Sequence, residues 1–220
     1  MSQGKLIVIE SGTDASGKAT QSQLLLAKLE NANIKVRKIE FPNYESKASY
    51  PVQMYLRGEF GSNPDDINAF AASTFFAIDR YASYIQEWKE FYQSGGVVIA
   101  DRYTTSNMVH QGSKIHDKKE RIEYLEWLAD LEYKKIGLPE PDLVVFLNVD
   151  PKVALNLMDK RNRNKDIHET NKEHLLSSYK TACEIAIEQK WTWIDCIEHG
   201  RMRSIEDISD DIFTHVKTVL

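Results

Sequence analysis

Two residues beyond the apolar run Leu6–Ile9, and directly before a segment of helical patterning at Lys18–Glu30, the chain reads Gly12-Thr-Asp-Ala-Ser-Gly17-Lys18. This G-x-x-x-x-G-K spacing between a strand and a helix constrains the fold more than any other feature. Its glycines let backbone N–H groups turn inward around an anion, and the helix start adds partial positive charge. Lys18 can then reach the β- and γ-phosphates of a nucleotide. The plainer alternative is a glycine turn capping a helix, with Lys18 solvated. One departure stands out: Ala19 takes the position where a hydroxyl for Mg²⁺ is usual. Thr20 is no simple substitute, because one helical step turns its side chain by about 100°.

Further short apolar runs occur at Val36–Phe41, Val97–Ala100, Leu143–Val149 and Trp191–Ile194. Continuous rather than alternating hydrophobicity suits strands covered on both faces, so a parallel α/β sheet is expected. Helical patterning separates the runs, at Lys18–Glu30, Pro51–Gly58, Pro64–Gln93, Lys119–Ile136, Pro151–Arg161, Asn171–Lys190 and Ser204–Thr218. The third is long for a globular helix and is expected to be bent or broken. Ligands of such sheets bind beyond the carboxyl ends of the strands. Lys160–Lys165, KRNRNK, is the one dense basic cluster, and it follows a helix.

With 220 residues the chain suits one globular domain over its whole length. A formal charge of −5 argues against a surface built to neutralise nucleic-acid phosphates. No apolar run approaches the roughly 18 residues of a membrane span. The N-terminus lacks the apolar segment of a signal peptide, and Cys183 and Cys196 lie far from metal-ligand spacing, so a cytoplasmic setting is expected. The six histidines show no paired spacing for a metal. His110 is read as a support for the loop around it.

Val97-Val-Ile-Ala-Asp101-Arg102-Tyr103 is an apolar strand ending in an acid, as expected of a carboxylate that orients Mg²⁺ or its water shell. Arg102 offers a planar fork for a phosphate. A strand-end salt bridge is the alternative for the pair. In Thr74-Phe-Phe-Ala-Ile-Asp-Arg80, Phe76 and Arg80 share a helical face, so a stacking ring and a guanidinium point the same way. Alone, Phe76 reads as core. Thr104-Thr-Ser106-Asn107-Met-Val-His-Gln111-Gly supplies hydroxyls and amides in what reads as a polar loop.

Together these segments, with Phe41-Pro42, Pro141–Val149 and the basic cluster, resemble the thymidylate kinase family of P-loop nucleoside monophosphate kinases. The resemblance implies a P-loop three-layer sandwich with a five-stranded parallel sheet and a short lid near residues 160–169. It implies transfer of the ATP γ-phosphoryl to dTMP, with Mg²⁺ accompanying ATP. Gly12, Thr13, Asp14, Ala15, Ser16, Gly17, Lys18, Ala19 and Thr20 would hold ATP. Asp14 would also meet the sugar 3′-hydroxyl, and Arg102 the acceptor phosphate. Phe76 would stack on thymine and Arg80 would donate to a base carbonyl. Ser106 and Gln111 would line the base pocket, with Phe41 and Pro42 beside the acceptor and Tyr103 crowding the sugar 2′ position. The phosphate loop lacks an internal arginine, so Arg161 and Arg163 of the lid would stabilise the transition state. The family also suggests a homodimer.

Three departures accompany the resemblance: Ala19; Ser11 as an extra residue before Gly12; and Asn43-Tyr44 where an arginine for the acceptor phosphate is frequent. Arg57 is the candidate replacement for that arginine. A GTPase would need a downstream D-x-x-G and an N-K-x-D, neither of which occurs beyond the phosphate loop. A kinase for another nucleoside monophosphate, and an inactive nucleotide-binding protein, remain as alternatives.

Overall fold

Five parallel strands form the centre of the molecule in the order β2-β3-β1-β4-β5, in a computed structural model that describes residues 3–13, 15–154 and 172–220. They are β1 (Lys5–Ser11), β2 (Val36–Glu40), β3 (Val97–Asp101), β4 (Leu143–Asn148) and β5 (Thr192–Asp195). Each coincides with an expected strand to within one or two residues. Beyond β5, β6 (Ile197–Glu198) and β7 (Arg201–Met202) form a short antiparallel pair that the sequence pattern does not announce.

Alternation along β1 divides the core into two layers. Ile7 and Ile9 pack with Leu25 and Leu29 of α1 (Lys18–Asn31) and with Ile208, Ile212 and Val216 of α8 (Ile205–Val216). Leu6 and Val8 face the other way, toward Tyr84, Trp88, Tyr92 and Tyr103. Both faces are covered, which is why the strands read as unbroken apolar runs.

After α2 (Tyr50–Leu56), the long helical stretch begins as a separate 3₁₀ turn at Pro64–Asp66. It restarts as α3 (Ala69–Ser83), where the Asn68 side chain accepts from the Ala71 N–H. A π turn at Tyr84–Trp88 then leads into α4 (Lys89–Gln93). Thr104–His110, read from sequence as a polar loop, is a helix, α5. Its hydroxyls and amides are buried against Glu10, Glu132 and Ser73 rather than exposed, so its polarity conceals an interior element. α6 (Lys118–Ala129) is capped by Asp117 and ends in a second π turn, Asp130–Lys135. α7 (Lys172–Glu188) follows. Of the helix expected at Pro151–Arg161, residues 151–154 are helical and the remainder lies outside the described residues, as does the basic cluster 160–165. Among the described residues no helix is long and apolar enough to cross a membrane.

The turn after β2 is fastened to α3 by a buried acid. Asp79 Oδ2 accepts the Asn43 N–H at 2.9 Å, and Asn43 Nδ2 donates to Glu87 at 3.0 Å. Burial pushes the Asp79 carboxyl up to about 6, against the pull of the Asn43 N–H and Arg80, while Glu87 adds to the rise. A raised carboxyl pKa stabilises the fold when protonated, and that contribution is lost as pH rises through about 6. Asp79→Asn keeps an acceptor for Asn43 and removes the charge. It is expected to melt a few degrees above the parent at pH 7.5, with the difference closing by pH 4; thermal unfolding across that range is the check.

Candidate active site

The strand register brings three chain segments to one level. Ile9 lies opposite Asp101, and Asp101 opposite Glu40. The loops leaving the carboxyl ends of β1, β2 and β3 therefore open into a common space. A cavity of about 250 Å³ lies there.

The phosphate loop forms one wall, from Ala15 to Ala19. Gly12 sits behind it against α7: a Cβ there would lie 2.9 Å from Ala182 Cβ and 3.0 Å from the Tyr179 ring. Gly17 is needed for a different reason. Its φ of 90° is left-handed, while the space beside it is open. Lys18 is 7% exposed, and its ammonium donates to Ser11 Oγ at 2.6 Å, to the Thr13 carbonyl at 3.2 Å and to Ser16 Oγ at 3.3 Å. Ser11, the extra residue before Gly12, belongs to the strand rather than to the loop. It is the last residue of β1, paired with Leu147 of β4, and its hydroxyl is the centre of the lysine's cage.

β3 delivers Asp101 and Arg102 to the opposite wall. Asp101 is 8% exposed. Arg102 has φ of 69° and Ala15 has φ of 59°, two non-glycine residues held left-handed at the same cavity. Arg102 Nη1 lies 3.2 Å from His110 Nε2 and 4.0 Å from Glu10. Arginine can only donate, so His110 Nε2 accepts. Glu10 is wholly buried and receives Ser11 N–H, Thr105 Oγ1 and Ser106 Oγ, the last at 2.5 Å. It ties the end of β1 to the start of α5.

The third wall carries the ring and the second guanidinium. Phe76 is half-buried and meets Tyr55 edge-on, with ring centroids 6.1 Å apart. Arg80 reaches the cavity wall, yet it is buried and paired with Glu132. Tyr103 lies between Phe41 and Trp88. Burial holds its hydroxyl well above the ordinary phenol value, and it donates to the Pro139 carbonyl at 3.1 Å. Gln111 is 1% exposed, and its Oε1 has no hydrogen-bond partner among the described residues.

The structure thus gathers Ala15, Ser16, Gly17, Lys18, Ala19, Phe41, Pro42, Phe76, Arg80, Asp101, Arg102, Tyr103, Ser106 and Gln111 around one cavity. Gly12 and Thr13 support the loop from behind, and Thr20 is exposed outside the cavity wall. Arg57 is not on the cavity wall: its Nε donates to Glu59 at 2.8 Å and its head lies over Tyr50. Asp14, Arg161 and Arg163 lie outside the described residues. Sequence reasoning missed Glu40 and Leu56 on the wall and Glu10 and Glu132 behind it, and it met Tyr44 only as a departure from the family pattern and Asn107 only within an apparent polar loop. The tryptophans of the last strand region pack on Phe146, Trp193 at 4.9 Å and Trp191 at 6.2 Å between ring centroids.

Among the described residues no group of three or more His, Cys, Asp or Glu side chains assembles as a metal site. Two carboxylates line the wall, Asp101 at the end of β3 and Glu40 at the end of β2, and so few protein oxygens suit an ion that takes its remaining ligands from phosphates and water.

Comparison with known proteins agrees with this geometry. The family model described as thymidylate kinase matches residues 9–212. Thymidylate kinase of Plasmodium falciparum is 32% identical over 99% of this chain and 91% of its own length. That of Schizosaccharomyces pombe is 36% identical over 69% of this chain and 64% of its own. In fold, the chain is similar to the solved thymidylate kinase of Candida albicans, with a TM-score of 0.72 at 22% identity over 98% of this chain and 92% of that one. A phosphate loop, an acid–arginine strand end and an aromatic–arginine helix in one cavity, under a family match over nearly the whole chain, have one explanation: the chain belongs to the thymidylate kinase family.

Proposed function

We propose that this cavity transfers the γ-phosphoryl group of ATP to the phosphate of dTMP, giving dTDP. The observation that carries the proposal is the convergence of donor and acceptor machinery: Lys18 on one wall, Arg102 opposite, Phe76 and Arg80 on the third.

In this mechanism Lys18 exchanges Ser11 and Thr13 for phosphate oxygens of the donor, and the loop's N–H groups take the remainder. Arg102 holds the acceptor phosphate, its orientation set by His110 on one side and Glu10 on the other. Phe76 stacks on the base, Arg80 donates to a base carbonyl, and Gln111 offers its unpartnered Oε1 to a base N–H. The Tyr103 ring crowds the sugar, since its hydroxyl is already committed to Pro139. No general base is required, because a phosphate oxygen is anionic at neutral pH, so the protein's work is positioning and charge stabilisation. The magnesium ion that accompanies ATP would be oriented by Asp101 and would neutralise charge on the β- and γ-phosphates. Asp14 would meet the acceptor sugar, and Arg161 and Arg163 would close over the transferred group.

A homodimer accompanies the proposal. Phe70, Ile78, Tyr81 and Ile85 are 41%, 51%, 42% and 44% exposed along α3 and its π turn. Such an apolar stripe is unusual on a monomer and suits a self-complementary helix interface.

Three outcomes are expected. Purified protein with ATP and Mg²⁺ converts dTMP faster than dUMP, dCMP or dGMP in a coupled ADP assay; equal rates would remove the thymidylate assignment. In the same assay, an inactive parent restored by Ala19→Ser would mark the phosphate loop as defective. Arg102→Ala lowers kcat about 10²–10³-fold, as removal of one positioned charge donor does, while ATP affinity by calorimetry stays within threefold or so of the parent. In light scattering coupled to gel filtration the parent runs as a dimer, and Ile78→Glu with Ile85→Glu runs as a monomer.

A further inference from the structure

The Arg80–Glu132 pair is the most enclosed charge contact among the described ion pairs, with side chains 1% and 0% exposed. The two groups meet fork to fork: Arg80 Nε donates to Glu132 Oε2 at 2.7 Å, and Nη2 to Oε1 at 2.5 Å. Thr104 Oγ1 adds a third bond to Oε2 at 2.8 Å. Glu132 lies within the π turn Asp130–Lys135 that ends α6, a kind of local irregularity frequent at functional positions. Burial works against the charge on Arg80, but Glu132 more than offsets this and holds its pKa above the ordinary value. The guanidinium is therefore charged, fixed and unable to rotate away without stranding a buried carboxylate.

This fixation has a chemical consequence at the cavity. A guanidinium has five N–H donors and no acceptor. Glu132 takes two of them, and the Tyr103 carbonyl takes a long bond from Nη1 at 3.4 Å. One N–H on Nη1 and one on Nη2 are left for a ligand. A wall that offers only donors accepts a carbonyl and leaves an amino group facing like N–H groups, an unpaired contact in a buried place. A mobile arginine could swing aside and let a water satisfy the amino group. A clamped one cannot.

We propose that Glu132 is a specificity-determining positioning residue: by clamping Arg80 from behind, it makes the acceptor pocket demand a base carbonyl and reject an exocyclic amino group in the same place. The proposal rests on the assignment of Arg80 to the base in the preceding section. Thr104 acts in the same direction, by fixing the carboxylate that fixes the guanidinium.

The test compares the parent with Glu132→Gln and Thr104→Val, measuring kcat and KM for dTMP and for dCMP together with thermal unfolding. For folded Glu132→Gln, the ratio of kcat/KM for dTMP over dCMP is expected to fall about tenfold or more, chiefly through a raised KM for dTMP. Glu132→Asp, which restores the charge at shorter reach, is expected to recover part of the ratio. Thr104→Val leaves the ion pair in place and is expected to lower the ratio by a smaller factor. If Glu132→Gln does not fold, Thr104→Val decides. A folded variant in which both substrates lose the same factor, so that the ratio stands, overturns the positioning role and leaves the kinase reading intact. A parent that does not distinguish dTMP from dCMP overturns the base-reading role of Arg80 itself.

Discussion

Parallel pairing of β1 between β3 and β4 is the constraint from which the rest of the molecule follows. Because β1 is central, its two faces are both dry, and its continuation into Ser11 carries the phosphate loop out of the middle of the sheet rather than from an edge. Because Ile9 pairs with Asp101, the acid–arginine step of β3 emerges at the same height. Shifting that register by one residue would turn Asp101 to the other face and Arg102 with it. The cavity is thus a property of strand order and register before it is a property of any loop.

Around that frame, buried polar bonds do the positioning that apolar packing cannot. Glu10 joins the end of β1 to α5, Glu132 joins α3 to α6 and α5, and Asp79 joins α3 to the turn after β2. Each is a carboxylate with at most 1% exposure, and each would be costly if its partners were absent. Glu10 and Glu132, with both oxygens hydrogen-bonded, fix the relative placement of elements that a hydrophobic interface alone would let slide, whereas Asp79 uses one oxygen and its Oδ1 has no partner among the described residues.

How much of this is legible in the sequence differs by kind. The strands are legible because two covered faces leave unbroken apolar runs, and the phosphate loop because Gly12, Gly17 and Lys18 each have a separate physical need for their identity. α5 is not, because Thr104, Thr105, Ser106 and Asn107 carry the composition of a loop, and only the tertiary partners Glu10, Glu132 and Ser73 make those side chains interior. Arg57 shows the converse: its partner two residues away, Glu59, is as plain in the sequence as the arginine itself, and the structure pairs the two away from the cavity wall. Glu132 gives no sign at all: within Asp130–Lys135 it reads as one more charge on a solvated helix end, and its contact with Arg80 spans 52 residues of chain. The wall residues Lys18, Arg80 and Arg102 fall within motifs, whereas Glu40 and Leu56 on the wall and Glu10 and Glu132 behind it are found only through the fold.

Charge balance bears on what lies beyond the described residues. Three cations, Lys18, Arg80 and Arg102, line the cavity together with two acids, Glu40 and Asp101. Glu132 neutralises Arg80 at bonding distance, and Glu10 stands 4.0 Å from Arg102. The described walls are therefore close to neutral, while the proposed reactants bring several negative charges into one enclosed space, where like charges repel far more strongly than in water. Under the proposed chemistry the missing positive charge has to arrive with the reactants or close over them. On that reading the metal ion carried by ATP would supply the first, and the basic sequence KRNRNK at 160–165, which lies outside the described residues, would supply the second. On this view Ala19 would be tolerable because the ion's strongest ligands would be the phosphates themselves, with Asp101 to orient it, so that losing one neutral hydroxyl would remove a ligand without removing charge.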